Sequence, residues 1–200
     1  MNKRQKHQKT CISTLHLFII ALIICIFVIT FSYTFSWGSY QNQLEAQSSN
    51  PAFSVMDVET FDGGRFNAEN LHGTKLTAFN VWETTCSPCL GEMPNLEKIS
   101  NMYDKADFQL VGVCSDLYGQ DGKLSPEKLK EAKQLMKDAG TTFPHLIPDQ
   151  KLKEYLDICV SAYPTTFFVD KDGTLLTTTA GAKDLNEWKE FIEQQMESLE

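Results

Sequence analysis

The run Phe79-Asn80-Val81-Trp82-Glu83-Thr84-Thr85-Cys86-Ser87-Pro88-Cys89-Leu90-Gly91-Glu92-Met93-Pro94 changes character in its middle. Up to Trp82 it is mostly apolar and short, as a buried strand is; from Pro88 onward its apolar residues recur at helical spacing. Proline is at home in the first turn of a helix, so the helix opens beside the two cysteines. A strand that feeds a helix through Cys86-Ser87-Pro88-Cys89 puts the first thiol at a helix N-terminus. There, unpaired backbone N–H groups and the helix dipole favour the thiolate, the attacking species in disulfide exchange. Cys86 is read as the exposed nucleophile. Cys89, one turn in, is read as the resolving thiol that attacks Cys86 and closes a small disulfide ring. Two such cysteines can equally be half of a zinc site. That needs another close ligand pair, and the folded region offers only the isolated Cys114, Cys159, His72 and His145.

Working outward, the sequence predicts strands at 53–58, 76–82 and 108–114, and a helix over 86–103 that Pro94 should kink. Asp62-Gly63-Gly64 reads as a turn. Ser125-Pro126 opens an amphipathic helix that Gly140 stops, and 152–156 is one helical turn or two. A hairpin follows over 165–179 around Asp170-Lys171-Asp172-Gly173, and a helix spans 185–199. Strands alternating with helices, then a hairpin and a helix, specify an α/β fold with a mixed central sheet flanked by helices.

Upstream the composition is different. Lys3, Arg4, Lys6 and Lys9 precede thirteen consecutive apolar residues, Leu17 to Ile29, inside a stretch free of Lys, Arg, Asp and Glu from Cys11 to Trp37. That is the length a bilayer requires, and the basic flank orients the N-terminus to the cytoplasm. The organisation read here is a basic cytoplasmic segment 1–14, a transmembrane anchor 15–36, a polar linker 37–50 and a folded domain 51–200. A cleaved signal peptide is the competing reading, with Ser36-Trp37-Gly38 as a poor cleavage site. Beyond Trp37 the chain carries 14 Lys and Arg against 26 Asp and Glu. Such an acidic domain repels phosphates, which excludes nucleic acid as a partner.

Three separated motifs resemble the TlpA/ResA-type membrane-anchored thioredoxin-like family: the run above, Val111-Gly112-Val113-Cys114-Ser115-Asp116, and Tyr163-Pro164-Thr165-Thr166-Phe167-Phe168-Val169-Asp170. The resemblance covers the whole folded domain. It implies a thioredoxin-like fold with an N-terminal strand extension, and an extracytoplasmic thiol-disulfide oxidoreductase that reduces protein disulfides, as in cytochrome c maturation. No cofactor and no metal are implied. The partners implied are disulfide-containing proteins and a transmembrane electron donor, since a domain outside the cytosol is beyond the reach of nicotinamide-driven reductases. Pro164 answers to the family's cis proline, which leaves Tyr163 beside the disulfide, where an extended substrate can add. Two departures stand out. Thr85 occupies the position of a family tryptophan, which alters the surface offered to a partner. Asn80 replaces the buried acid of general thioredoxins and cannot take a proton from Cys89. Glu92, at an acidic position of the family, is the candidate acceptor if burial raises its pKa; a solvated first-turn residue is the plainer alternative.

Two other functions compete. A copper-handling chaperone would use Cys86, Cys89 and His145, although such chaperones usually have three residues between the cysteines. A thiol peroxidase would want a threonine where Glu83 stands. Ser87-Pro88 lacks the histidine found in strongly oxidising relatives, which points to a reducing couple. Cys114 and Cys159 are left with three readings: a second disulfide, two separate buried thiols, or a redox relay.

Overall fold

The computed structural model describes residues 52–199. The basic segment, the apolar span and the linker read from the sequence lie outside them. Among the described residues no helix is long and apolar enough to cross a membrane.

The alternation of the strands sorts the molecule into two faces. β1 (Asp57–Thr60) and β2 (Arg65–Asn67) form a hairpin, α1 (Glu69–His72) follows, and β3 (Leu76–Trp82) is buried along its whole length. Then come α2 (Ser87–Ser100), β4 (Phe108–Cys114), α3 (Pro126–Ala139), β5 (His145–Ile147) and α4 (Gln150–Cys159). β6 (Thr165–Asp170), β7 (Leu175–Ala180) and α5 (Leu185–Glu197) complete the order. The sheet runs β2-β1-β5-β4-β3-β6-β7, with β3, β4 and β5 parallel and the other pairings antiparallel. This is the expected mixed sheet, with β1 and β2 as the N-terminal extension at one edge.

Successive side chains of a strand point to opposite faces. Leu76, Ala78 and Trp82 of β3 therefore join Leu110, Cys114 and Phe168 on one face, under Met93 of α2, Met136 of α3 and Trp188 of α5. Phe79 and Val81 join Val111, Val113 and Phe167 on the other, under Leu71 of α1 and Tyr155 of α4. Burial of each such large side chain stabilises the fold by roughly 1.5–3 kcal/mol. Helix starts are written locally. The Ser125 hydroxyl accepts from the Lys128 N–H at 3.3 Å, and the Asp149 carboxylate accepts from that of Leu152 at 2.8 Å. Asp184 and Glu187 make a reciprocal capping box.

Several sequence expectations need correction. Pairing begins at Asp57, not at residue 53, because Phe53 tucks a turn into the core and stacks on Phe79 at 4.6 Å. The α2 helix ends at Ser100, short of the expected 103, and contains the exposed Pro94. The segment from residue 150 is a ten-residue helix, longer than the one or two turns expected. β5, flanked by Pro144 and Pro148, was not expected at all. Neither Cys114 nor Cys159 is in a disulfide, which removes the second bridge. The strand period explains it: Cys114 faces α2 and α3, whereas Cys159 ends α4 and packs into the opposite core.

Gly112 and His145 are cross-strand partners in β4 and β5. A Cβ on Gly112 would lie 2.1 Å from His145 Nδ1, so only glycine lets the imidazole lie across the strand. The ring is wedged among Phe61, Phe143 and Trp82, with Nε2 at 3.1 Å from the Thr141 hydroxyl. Burial pushes its pKa down to about 3.

Candidate active site

The strand-to-helix junction was legible in the sequence, and its geometry follows from the capping chemistry. The Cys86 N–H donates to Glu83 O at 3.1 Å, which closes the turn after β3. Cys86 itself is the N-cap of α2: its sulfur accepts from the Cys89 N–H at 3.3 Å, and its carbonyl accepts from the Leu90 N–H at 3.1 Å. The two cysteines form a disulfide with Cα atoms 5.3 Å apart. Cys86 is partly exposed, whereas Cys89 is 0% exposed beneath it, on the face with Trp82 and Met93. Access is thus unequal by construction. In the reduced protein at neutral pH, Cys86 should alkylate well before Cys89. Cys114 should stay unlabelled, because burial foremost, and then the Asp116 carboxylate 3.3 Å from its sulfur, push its thiol pKa far up. Mass mapping after brief iodoacetamide treatment checks this, and Cys89 labelled first would reverse the assignment.

Glu92 lies one turn beyond Cys89 and is 2% exposed, so the solvated first-turn alternative does not hold. Three donors from three elements converge on its carboxylate. Asn80 Nδ2 of β3 donates to Oε1 at 2.9 Å, while the Lys183 backbone N–H and Trp188 Nε1 donate to Oε2 at 3.1 and 3.3 Å. Burial raises its pKa above the usual glutamate range, against the opposing pull of these hydrogen bonds and of the Lys183 charge. The Lys183 ammonium caps this corner from outside, 5.0 Å from the centre of the Trp188 ring. Neither Lys183 nor Trp188 was singled out by sequence reasoning. They stand 91 and 96 residues from Glu92 in the chain, and no local pattern announces such a contact.

The residues expected from the sequence to meet substrate come to the same end of the sheet. Thr85 is exposed beside Cys86. The Tyr163–Pro164 peptide is cis, as the motif led us to expect, and Pro164 is buried while Tyr163 is partly exposed. The Tyr163 hydroxyl accepts from the Ser115 hydroxyl at 3.1 Å, and Ser115 also reaches Glu83 Oε1 at 3.4 Å. Burial raises the Tyr163 pKa. Ser115, at the end of the Val111–Asp116 motif, is a further residue of this rim that the sequence alone did not assign. The Thr84 backbone N–H and hydroxyl donate to Asp116 at 3.1 and 2.5 Å and tie the β3 and β4 ends together.

His145 does not join the cysteines. It is enclosed by aromatic rings as described, and among the described residues no group of three or more His, Cys, Asp or Glu is placed to hold a metal ion. The ligand set required by the copper-handling alternative is therefore not assembled.

Comparison with known proteins agrees with this geometry. The family model for the AhpC/TSA family matches residues 47–177. The thiol-disulfide oxidoreductase ResA of Geobacillus thermodenitrificans is 32% identical over 154 residues, 76% of this chain and 76% of its own. The thioredoxin-like protein YneN of Bacillus subtilis is 26% identical over 164 residues, covering 78% of this chain and 88% of its own. In fold, the chain is similar to a thioredoxin-family thiol:disulfide interchange protein from Chlorobium tepidum. The TM-score is 0.59 at 21% identity, over 70% of this chain and 92% of that one. A family match across most of the folded region, and a relative of this identity and coverage, place the chain in the AhpC/TSA family as a thioredoxin-fold thiol-disulfide oxidoreductase with a Cys86–Cys89 disulfide.

Proposed function

We propose that this protein is an extracytoplasmic reductant of protein disulfides, held at the membrane by its N-terminal apolar span and recharged by a membrane protein that passes electrons across. The observation that carries the chemistry is the vertical arrangement of the site: a reachable sulfur at the helix N-cap, a buried sulfur beneath it, and a buried carboxylate one turn further on. Support for the location comes from the basic flank, the uncharged span and the acidic domain. Support for the reducing direction is the absence of a histidine between the cysteines.

In the forward step the Cys86 thiolate attacks one sulfur of the client disulfide, and the other client sulfur leaves as a thiolate. A mixed disulfide now joins Cys86 to the client. Cys89 then yields its proton to Glu92 and attacks Cys86 Sγ. The Cys86–Cys89 bond forms, the mixed disulfide breaks, and the second client thiolate departs. The client has gained two electrons and the protein has lost two. Thr85, Tyr163 and Pro164 form the surface on which the client chain lies during exchange. The rise in Glu92 pKa makes it a better acceptor for the Cys89 proton than an ordinary glutamate.

Replacing Cys89 with alanine tests this reading. Cys89→Ala should leave Cys86 joined to client proteins as mixed disulfides that dithiothreitol releases, with client proteins recovered from the outer side of the membrane. Recovery of none, or capture only of cytosolic proteins, overturns the function or the location respectively.

A further inference from the structure

Asn80 lies at the centre of β3, is 0% exposed, and faces Thr166 across the β3–β6 ladder. Its Nδ2 donates twice, to Glu92 Oε1 at 2.9 Å and to Thr166 Oγ1 at 3.1 Å. Its Oδ1 is buried and has no hydrogen-bond partner. A buried acceptor left unmatched is costly and calls for an explanation.

The explanation lies in what surrounds Glu92. All three of its partners are donors, an arrangement that suits a carboxylate and not a carboxylic acid. Once Glu92 holds a proton, that proton must face an acceptor. The Lys183 backbone N–H and the indole N–H of Trp188 can only donate. The Lys183 ammonium carries no acceptor either, and Cys89, on the same helix, is the proton's source. Asn80 alone can serve both states. A half-turn of its side-chain amide exchanges Nδ2 for Oδ1, so that the Glu92 O–H donates where it formerly accepted. Thr166 follows by rotating its hydroxyl, which donates as readily as it accepts. Because Oδ1 has no bond of its own to lose, the turn breaks no bond on the far side of the amide; it exchanges one unmatched acceptor there for the Nδ2 hydrogens, a cost borne only while Glu92 holds the proton.

We propose that Asn80 is the positioning residue of the proton-transfer step, its amide turning end for end as Glu92 gains and loses the Cys89 proton. The proton moves from Cys89 Sγ to Glu92 Oε1, leaving a thiolate and a carboxylic acid, and no electron is transferred in that step. The inference rests on the exchange role proposed for Cys89 and Glu92. It makes sense of an amide at a position where general thioredoxins carry an acid: a second acid could share the proton, but only an amide presents a full donor and a full acceptor without changing its charge.

Two measurements on the full-length chain in non-ionic detergent test it. The first is a stability cycle at pH 8 over Glu92→Gln, Asn80→Leu and the double variant. The two fixed donors orient the introduced glutamine with its oxygen toward Lys183 and Trp188 and its NH2 toward Asn80. If the Asn80 amide turns, a hydrogen bond forms, Glu92→Gln gains stability, and adding Asn80→Leu lowers the urea midpoint below that of Glu92→Gln alone. If it cannot turn, donor faces donor; Glu92→Gln then loses stability and Asn80→Leu restores it, which overturns the proposal. The second is the pH profile of single-turnover reduction of a peptide disulfide by prereduced protein. Asn80→Leu should move the profile to higher pH and slow the neutral rate about tenfold, and Asn80→Ser, whose hydroxyl donates and accepts, should lie nearer the wild type. An unmoved profile in both variants sinks the proposal while leaving the exchange reading intact; a wild type that reduces no peptide sinks both. Should Asn80→Leu fail to fold, the midpoint of Glu92→Gln still decides: a gain at pH 8 supports the turning amide and a loss overturns it.

Discussion

Glu92→Gln is expected to slow disulfide exchange about a hundredfold at neutral pH and, at the same pH, to make the fold more stable. The two effects have one cause. Burial holds the Glu92 pKa above its ordinary value, so the folded protein prefers the protonated side chain more than the unfolded chain does. A group of this kind contributes its full stability below the ordinary glutamate pKa and loses it as the pH rises through the folded value. At neutral and alkaline pH the wild type carries that cost, and on the proposed mechanism it gains a usable base. A neutral amide of the same shape removes the cost and the base together. Melting curves should show the variant above the wild type at pH 8, with the difference shrinking to nothing as the pH falls below the ordinary glutamate range. An equal rate, or a variant destabilised at every pH, would return Glu92 to a purely structural role.

Acid should act on the fold through His145. Its folded pKa is pushed down to about 3, while the unfolded chain titrates in the ordinary histidine range near 6.5. Between those values the unfolded state binds a proton that the folded state refuses. Stability is therefore full above about pH 6.5 and falls as the pH is lowered toward 3, by several kcal/mol over the window, with Glu92 working in the opposite sense. Urea midpoints at pH 7, 5.5 and 4.5 measure the slope. His145→Phe, which keeps a flat ring against Gly112, should flatten it. A slope that survives this substitution would place the acid sensitivity elsewhere.

The parts of the molecule legible in the sequence are those whose cause is local. The change of period at residues 82–88 placed the cysteines at the start of α2, and Ser125-Pro126 with Gly140 bounded α3 to the residue. β5 escaped notice because three residues between two prolines carry no usable period, and its pairing partners lie on β1 and β4. The candidate site divides in the same way. Cys86, Cys89 and Pro164 sit in motifs, whereas the burial of Glu92 depends on Asn80, Lys183 and Trp188, which meet only when β3, α2 and α5 pack together. The separation of Cys114 from Cys159 is likewise a matter of which face each residue takes, and that is fixed by strand register.

The sequence separation of 96 between Glu92 and Trp188 also imposes an order on the making of the site. Synthesis runs from the N-terminus, so both thiols are on the chain long before the segment that encloses the carboxylate has been made. Before α5 is in place the Trp188 and Lys183 contacts to Glu92 do not exist, and on the proposed mechanism the cysteines then form a dithiol whose proton acceptor is not yet enclosed. On that mechanism the working chemistry of the site is thus tied to the closing of the last helix.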